Sequence, residues 1–152
     1  MALVVKRRIR GDGRIWLDRV KTKVLRATGG WYAVDGASPS EDARVLFRPA
    51  QDLLVIEQYG RFLRVPFHAG EATFTWEDRT FHIGSMARGA LRIDREGRVV
   101  AHGVVTAAGV RFSDVACELL PLIRPLAWAL ALRGEVIARD ARRMPPGGAG
   151  AR

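Results

Sequence analysis

Cysteine is almost missing from this chain of 152 residues: Cys117 is the only one. No internal disulfide can form, and no second Cys or nearby His stands at the spacing of a zinc site. Histidine is scarce too. His68, His82 and His102 lie far apart in sequence, and two of them alternate with apolar neighbours as half-exposed strand residues do. No metal centre or cofactor is expected.

Long apolar runs are also lacking. The greasiest stretch, residues 115 to 132, falls short of the roughly 20 residues that a bilayer crossing needs. Glu118 lies near its start and Arg124 near its middle, so a transmembrane span is not expected. The start, Met-Ala-Leu-Val-Val-Lys-Arg-Arg, is basic but no apolar h-region follows. With the lone cysteine, this suggests a reducing, cytoplasmic setting, with peripheral association at a membrane still open.

Catalytic signatures are missing as well. Gly84-Ser-Met-Ala-Arg-Gly89 does not match a nucleophile elbow, and neither a Walker A sequence nor a dinucleotide fingerprint is present. The acidic pairs Glu41-Asp42 and Glu77-Asp78 are sequence neighbours in turn-like stretches, a poor arrangement for an acid/base couple. The expectation is a protein that is not an enzyme.

Acidic charge is in deficit: 16 Asp and Glu face 25 Lys and Arg, a net of +9. The imbalance sits at one end. Residues 1 to 26 hold nine basic side chains against Asp12 and Asp18, which accounts for +7 of the total. Such a one-ended field draws anionic surfaces, lipid headgroups or nucleic acid, without much sequence information. Lys6, Arg7, Arg8, Arg10, Lys21 and Lys23 are therefore the candidate anion-binding residues. The alternative is a solvated, Arg-rich edge that protects a strand from aggregation.

From residue 3 to about 112 the hydropathy alternates with period two, broken by turn residues every eight to twelve positions, the pattern of an antiparallel all-β body. Val20, Thr22 and Val24 share one face and Lys21 and Lys23 the other; Leu63, Val65 and Phe67 align, as do Ala72, Phe74 and Trp76. Turns are expected at Asp12-Gly13, Gly29-Gly30, Tyr59-Gly60, Glu77-Asp78 and Arg95-Glu96-Gly97, giving eleven or twelve strands. Leu53 to Ile56 reads as a strand covered on both sides. Trp16, Trp31, Trp76 and Tyr32 interleave with arginines and could stack bases, although Trp31 and Trp76 sit where core packing is the simpler expectation.

Residues 119 to 132 form a helix that is apolar nearly all round, expected within about 114 to 133 with Ser113 or Asp114 as N-cap, a kink at Pro125, and an end or weak point at Gly134. A helix greasy on every side must be surrounded. The economical solution is a closed antiparallel barrel of about twelve strands enclosing the C-terminal hydrophobic helix, a mainly β fold. The expected organisation is one domain over residues 1 to 142 and a disordered tail over 143 to 152.

Gly30-Trp-Tyr-Ala-Val-Asp-Gly36, Trp76-Glu-Asp-Arg-Thr-Phe81, Leu91-Arg-Ile-Asp-Arg-Glu-Gly-Arg-Val-Val100 and the closing helix from Glu118 to Leu132 carry a further likeness. Over residues 3 to 135 the chain resembles the tubby C-terminal-like superfamily, in particular its small LURP-one-related and phospholipid-scramblase-like members. The resemblance implies a twelve-stranded barrel around a central hydrophobic helix, and phosphoinositide headgroups held by Lys and Arg on the barrel. The calcium segment and Cys-rich cluster of scramblases are not in this sequence, so lipid scrambling is not implied. The expected function is a binding module whose basic N-terminal face holds an anionic partner such as acidic lipid headgroups. A nucleic-acid-associated barrel, or a subunit of an assembly whose acidic partner covers residues 3 to 26, would use the same charges.

Overall fold

The computed structural model describes residues 2–7, 13–85, 87–106 and 109–143. Twelve strands run in chain order: β1 (Leu3–Arg7), β2 (Gly13–Leu17), β3 (Val20–Arg26), β4 (Tyr32–Val34), β5 (Ala43–Arg48), β6 (Leu53–Gln58), β7 (Arg61–His68), β8 (Glu71–Trp76), β9 (Arg79–Ser85), β10 (Ala90–Arg95), β11 (Arg98–Thr106) and β12 (Gly109–Ser113). Each pairs antiparallel with the next, and β12 pairs back onto β1, so the sheet closes into a barrel. A single α-helix, α1 (Leu120–Arg143), follows.

Two-residue turns build much of the wall. Tyr59-Gly60, Ala69-Gly70, Glu77-Asp78 and Glu96-Gly97 all carry positive φ at both residues, the backbone twist that a tight hairpin requires. Glu77 and Asp78 adopt it without any glycine, at φ of 52° and 60°. Strand pairing on either side, including Thr75 with Thr80 and Trp76 with Arg79, outweighs the local steric cost.

Alternation sorts the side chains. In β7 Leu63, Val65 and Phe67 point inward and are buried, and in β8 Ala72, Phe74 and Trp76 do the same. Phe74 and Phe81 stand opposite each other in register and stack with ring centres 5.3 Å apart. The run Leu53 to Ile56 is covered from Leu54 onward, with the outward Val55 only 6% exposed, while Leu53 is half-buried.

The helix occupies the interior. Every residue from 122 to 132 is buried, whichever way it points. Helix α1 touches β5 and β6 on one side and β11 and β12 on the other, pairs that face each other across a ring of twelve. Only a wall on all sides can bury consecutive positions of a helix in this way. Trp128, fully buried at the middle of the rod, packs its ring 5.6 Å from that of Tyr32 in β4.

The helix limits differ from those expected. Ser113 closes β12, held opposite His102 of β11, instead of capping the helix. Asp114 is left-handed, and a single 3-10 turn, Cys117–Leu119, leads into α1 at Leu120. At the other end the helix runs through Gly134 to Arg143, because Gly134 is used for close packing: a Cβ there would stand 2.4 Å from Cγ1 of Val105. Arg143 thus belongs to the helix and not to the expected tail. Residues 144 to 152 lie outside the described residues. Pro125 sits inside an unbroken helix.

Candidate functional site

Strand register assembles a basic wall on the outside of the barrel. Along one rung, Lys23 of β3 stands opposite Arg14 of β2, and Arg14 opposite Lys6 of β1. Two residues further on, Lys21, Trp16, Val4, Arg111 and Val104 form the next rung across β3, β2, β1, β12 and β11. The pleat fixes the outward direction, since the intervening Ile15, Val24 and Phe112 are fully buried inside. Arg14, Lys21, Lys23 and Arg111 are exposed.

Direct cross-strand juxtaposition of like charges is unfavourable, and among the described residues no ion pair offsets it on this wall. No Asp or Glu occurs in β1 to β4, β11 or β12. The nearby Asp18 uses a carboxylate oxygen to accept from the Ala2 N–H at 3.1 Å. Among the described residues, no carboxylate reaches Arg14, Lys21, Lys23 or Arg111 within ion-pair distance. Elsewhere on the barrel several acids are matched to cations. Arg44 pairs with Glu57 at 2.7 Å, His82 with Glu71 at 2.8 Å, and Arg92 with Asp94 at 3.0 Å. The asymmetry lies in the placement of carboxylates more than in the placement of cations.

Apolar surface is interspersed with the charge. Leu25 at the end of β3 is 54% exposed and Val104 of β11 is 46% exposed. A shallow hollow of about 370 Å³ between β1, β12 and β11 is lined by Val4, Val104, Thr106 and Arg111. Trp16 is half-buried, with the Lys21 ammonium 5.7 Å from its ring centre.

Of the six residues singled out from the sequence, Lys21 and Lys23 are on this wall. Lys6 and Arg7 are in β1, Lys6 opposite Arg14 and Arg7 opposite Gly13. Arg8 and Arg10 lie outside the described residues, as does the Asp12 half of the expected Asp12-Gly13 turn. Arg14 and Arg111 were missed. Arg14 was within reach of sequence reasoning, since it alternates with Ile15 as Lys23 does with Val24. Arg111 joins the wall only through the closure of β12 on β1.

The aromatic expectations divide. Trp76 is in the core. Trp31 is half-buried outside it, under the Arg44 guanidinium at 4.7 Å and against the exposed Phe62 at 6.5 Å, because it precedes β4 and escapes that strand's alternation.

A second polar cluster lies where the helix enters the barrel. Glu118, 11% exposed, accepts from Arg95 and, at 2.6 Å, from Arg98, with Arg79 at 3.7 Å. One carboxylate thereby ties the start of the helix to β9, β10 and β11. Arg124 is 5% exposed, and its Nε makes no hydrogen bond. Burial pushes its guanidinium below the ordinary arginine value, with Glu41 acting in the opposite sense. Among the described residues no cluster of His, Cys, Asp or Glu could hold a metal ion, and no helix is long and apolar enough to cross a membrane.

Comparison with known proteins adds no relative: no family model, curated protein or solved structure matches the chain.

Proposed function

We propose that the protein is a non-catalytic binding module that lays the outer wall of β3, β2, β1 and β12 against an anionic surface, acidic lipid headgroups being the partner that fits best. The observation that carries this reading is the unmatched charge of Arg14, Lys21, Lys23 and Arg111 on a face whose strands contain no carboxylate. Like-charged side chains set opposite each other without acids are a cost to folding, and a negative partner removes it. The exposed Leu25 and Val104 between the cations favour a bilayer interface over nucleic acid, because apolar side chains gain from shallow burial among headgroups and gain nothing from a phosphate backbone. Trp16 supports the same reading, since it is half-buried beside Lys21 and poorly placed to stack on bases.

Kinship with the tubby-like superfamily is proposed on the order of elements, twelve antiparallel strands in a ring and then a helix through the middle. On that kinship, too, lipid headgroups are the expected ligand. The setting proposed is cytoplasmic and peripheral at the membrane.

Vesicle flotation tests the reading. The protein should float with phosphatidylcholine vesicles containing phosphatidylserine and not with phosphatidylcholine alone. A juxtamembrane cation contributes about 1 kcal/mol, so each of Arg14→Glu, Lys21→Glu and Lys23→Glu should weaken binding by about fivefold or more. Flotation indifferent to these changes, or steeply salt-dependent binding to DNA or RNA with no flotation, would sink it.

A further inference from the structure

At the end of the barrel where α1 emerges, the helix does not stop at the rim. Its last turns project past β9 and β10 and leave a hollow of about 290 Å³ between helix and rim. Phe67, Ile83, Leu91 and Leu130 form the floor, and Ile137 and Ala138 overhang it from the helix. The floor residues are buried in the core, whereas Ile137 at the overhang is 48% exposed.

The polar side chains that line this hollow are already bonded within the protein. Ser85 Oγ donates to the Gly70 carbonyl at 2.6 Å, and Thr106 Oγ1 to the Gly109 carbonyl at 3.4 Å. Arg133 holds Asp52 through two bonds of 2.7 and 3.0 Å, with its guanidinium over the Phe67 ring at 3.9 Å. The interior therefore suits a ligand part with no hydrogen-bonding groups of its own. At about 290 Å³ it is of a size to take part of a slender chain.

The edges carry the opposite character. Arg88, adjacent in sequence to the lining Gly89, and Arg142, adjacent to the lining Ala141, are both exposed. Neither has a carboxylate partner among the described residues. In the projecting helix, Glu135 is engaged by Arg139 at 2.9 Å, leaving Asp140 as the one carboxylate against the two cations. Arg88 also holds a left-handed backbone, φ 62°, that disfavours a branched or bulky side chain and has no local benefit of its own.

We propose that this hollow binds a single-chain anionic amphiphile, a fatty acid or an equivalent acyl chain, with the chain under Ile137 and Ala138 and the acidic head between Arg88 and Arg142. The apolar, internally satisfied interior selects the chain, and charge complementarity at the edges selects the head. This hollow meets the one on the basic wall at Thr106 but uses none of that wall's cations.

The test is displacement of a fluorescent fatty acid from the full chain by dodecanoic acid and by dodecanol. Both should compete, the acid about five times better or more. Ala138→Trp should fill the cleft and weaken both competitors at least tenfold, and Ala141→Trp, one turn further out, serves if the first variant does not fold. Arg88→Gly with Arg142→Ala should erase the preference for the acid and leave the alcohol unchanged. Lys21→Glu with Lys23→Glu, which abolishes flotation if the wall is the membrane site, should leave displacement unaltered. No displacement from the wild type, a folded Ala138→Trp variant that binds as well as wild type, or equal competition by acid and alcohol would overturn the proposal. So would a concentration-dependent dimer dissolved by Ala138→Trp, which would put a second copy of the chain in the hollow.

Discussion

The side-chain amide of Gln58 donates to the main-chain carbonyl of Pro121 at 2.9 Å, across a separation of 63 residues. That carbonyl is the one that Pro125, four residues on, cannot serve, because proline has no N–H. Gln58 Nε2 also donates to the Glu41 carbonyl at 2.8 Å. One buried amide on β6 thus repairs the defect in the enclosed helix and ties down the loop beside it.

Removing that amide should cost about 1 to 3 kcal/mol, the range for leaving buried carbonyls unpaired. Gln58→Leu is expected to lower the free energy of unfolding by that much, read as a lower urea midpoint at unchanged m-value. Pro125→Ala restores the helix's own N–H, so in that background the Gln58→Leu penalty should shrink. A double-mutant cycle reads the coupling, and strictly additive penalties would contradict the repair.

Arg124 is a cation buried to 5% exposure, and its desolvation is the main cause of its lowered proton affinity. A cation with a folded-state pKa below its unfolded value opposes folding in full at every pH below the folded value, and the opposition fades only above it. For arginine that lies beyond the working range. Arg124→Met should therefore stabilise by about 1 kcal/mol or more, equally at about pH 6 and about pH 9. Arg124→Lys should behave differently: lysine loses its proton far more readily on burial, so its stability should climb as pH rises toward about 10. Thermal melts across pH distinguish the two.

Gly134 and Val105 form a mutual constraint. Alanine is preferred to glycine inside a helix by about 1 kcal/mol, but at position 134 its methyl would meet Val105 Cγ1 at 2.4 Å. Gly134→Ala alone is expected to destabilise. In a Val105→Ala background the same change should stabilise by about 1 kcal/mol, as equilibrium unfolding would show.

Much of this architecture is legible in the order of residues, because it rests on local regularities. Alternation over β7 and β8, turn dipeptides such as Tyr59-Gly60, and an apolar rod with no polar stripe each follow from the order of residues alone. What escaped depends on register. Glu118 gathers Arg79, Arg95 and Arg98 from three strands. Nothing in sequence order brings those side chains together. Arg111 reaches Lys21's rung only because β12 folds back on β1, and Gln58 meets Pro121 only because the helix passes beside β6 at that height. From sequence Gly134 is an end or a weak point of the helix, because glycine weakens helices, and its packing role appears only once Val105 is beside it.

The join between β1 and β12 is the one pairing in the ring that does not link neighbours in the chain. As a ribosome extrudes the polypeptide, residues 3 to 7 must wait with a bare edge until residues 109 to 113 emerge. The oily rod that fills the centre comes later still. A nascent intermediate is thus an open, curling ribbon with its lining wet, and closure and stuffing become a single late event. Chains stalled before about residue 132 should be the form that chaperones meet most often.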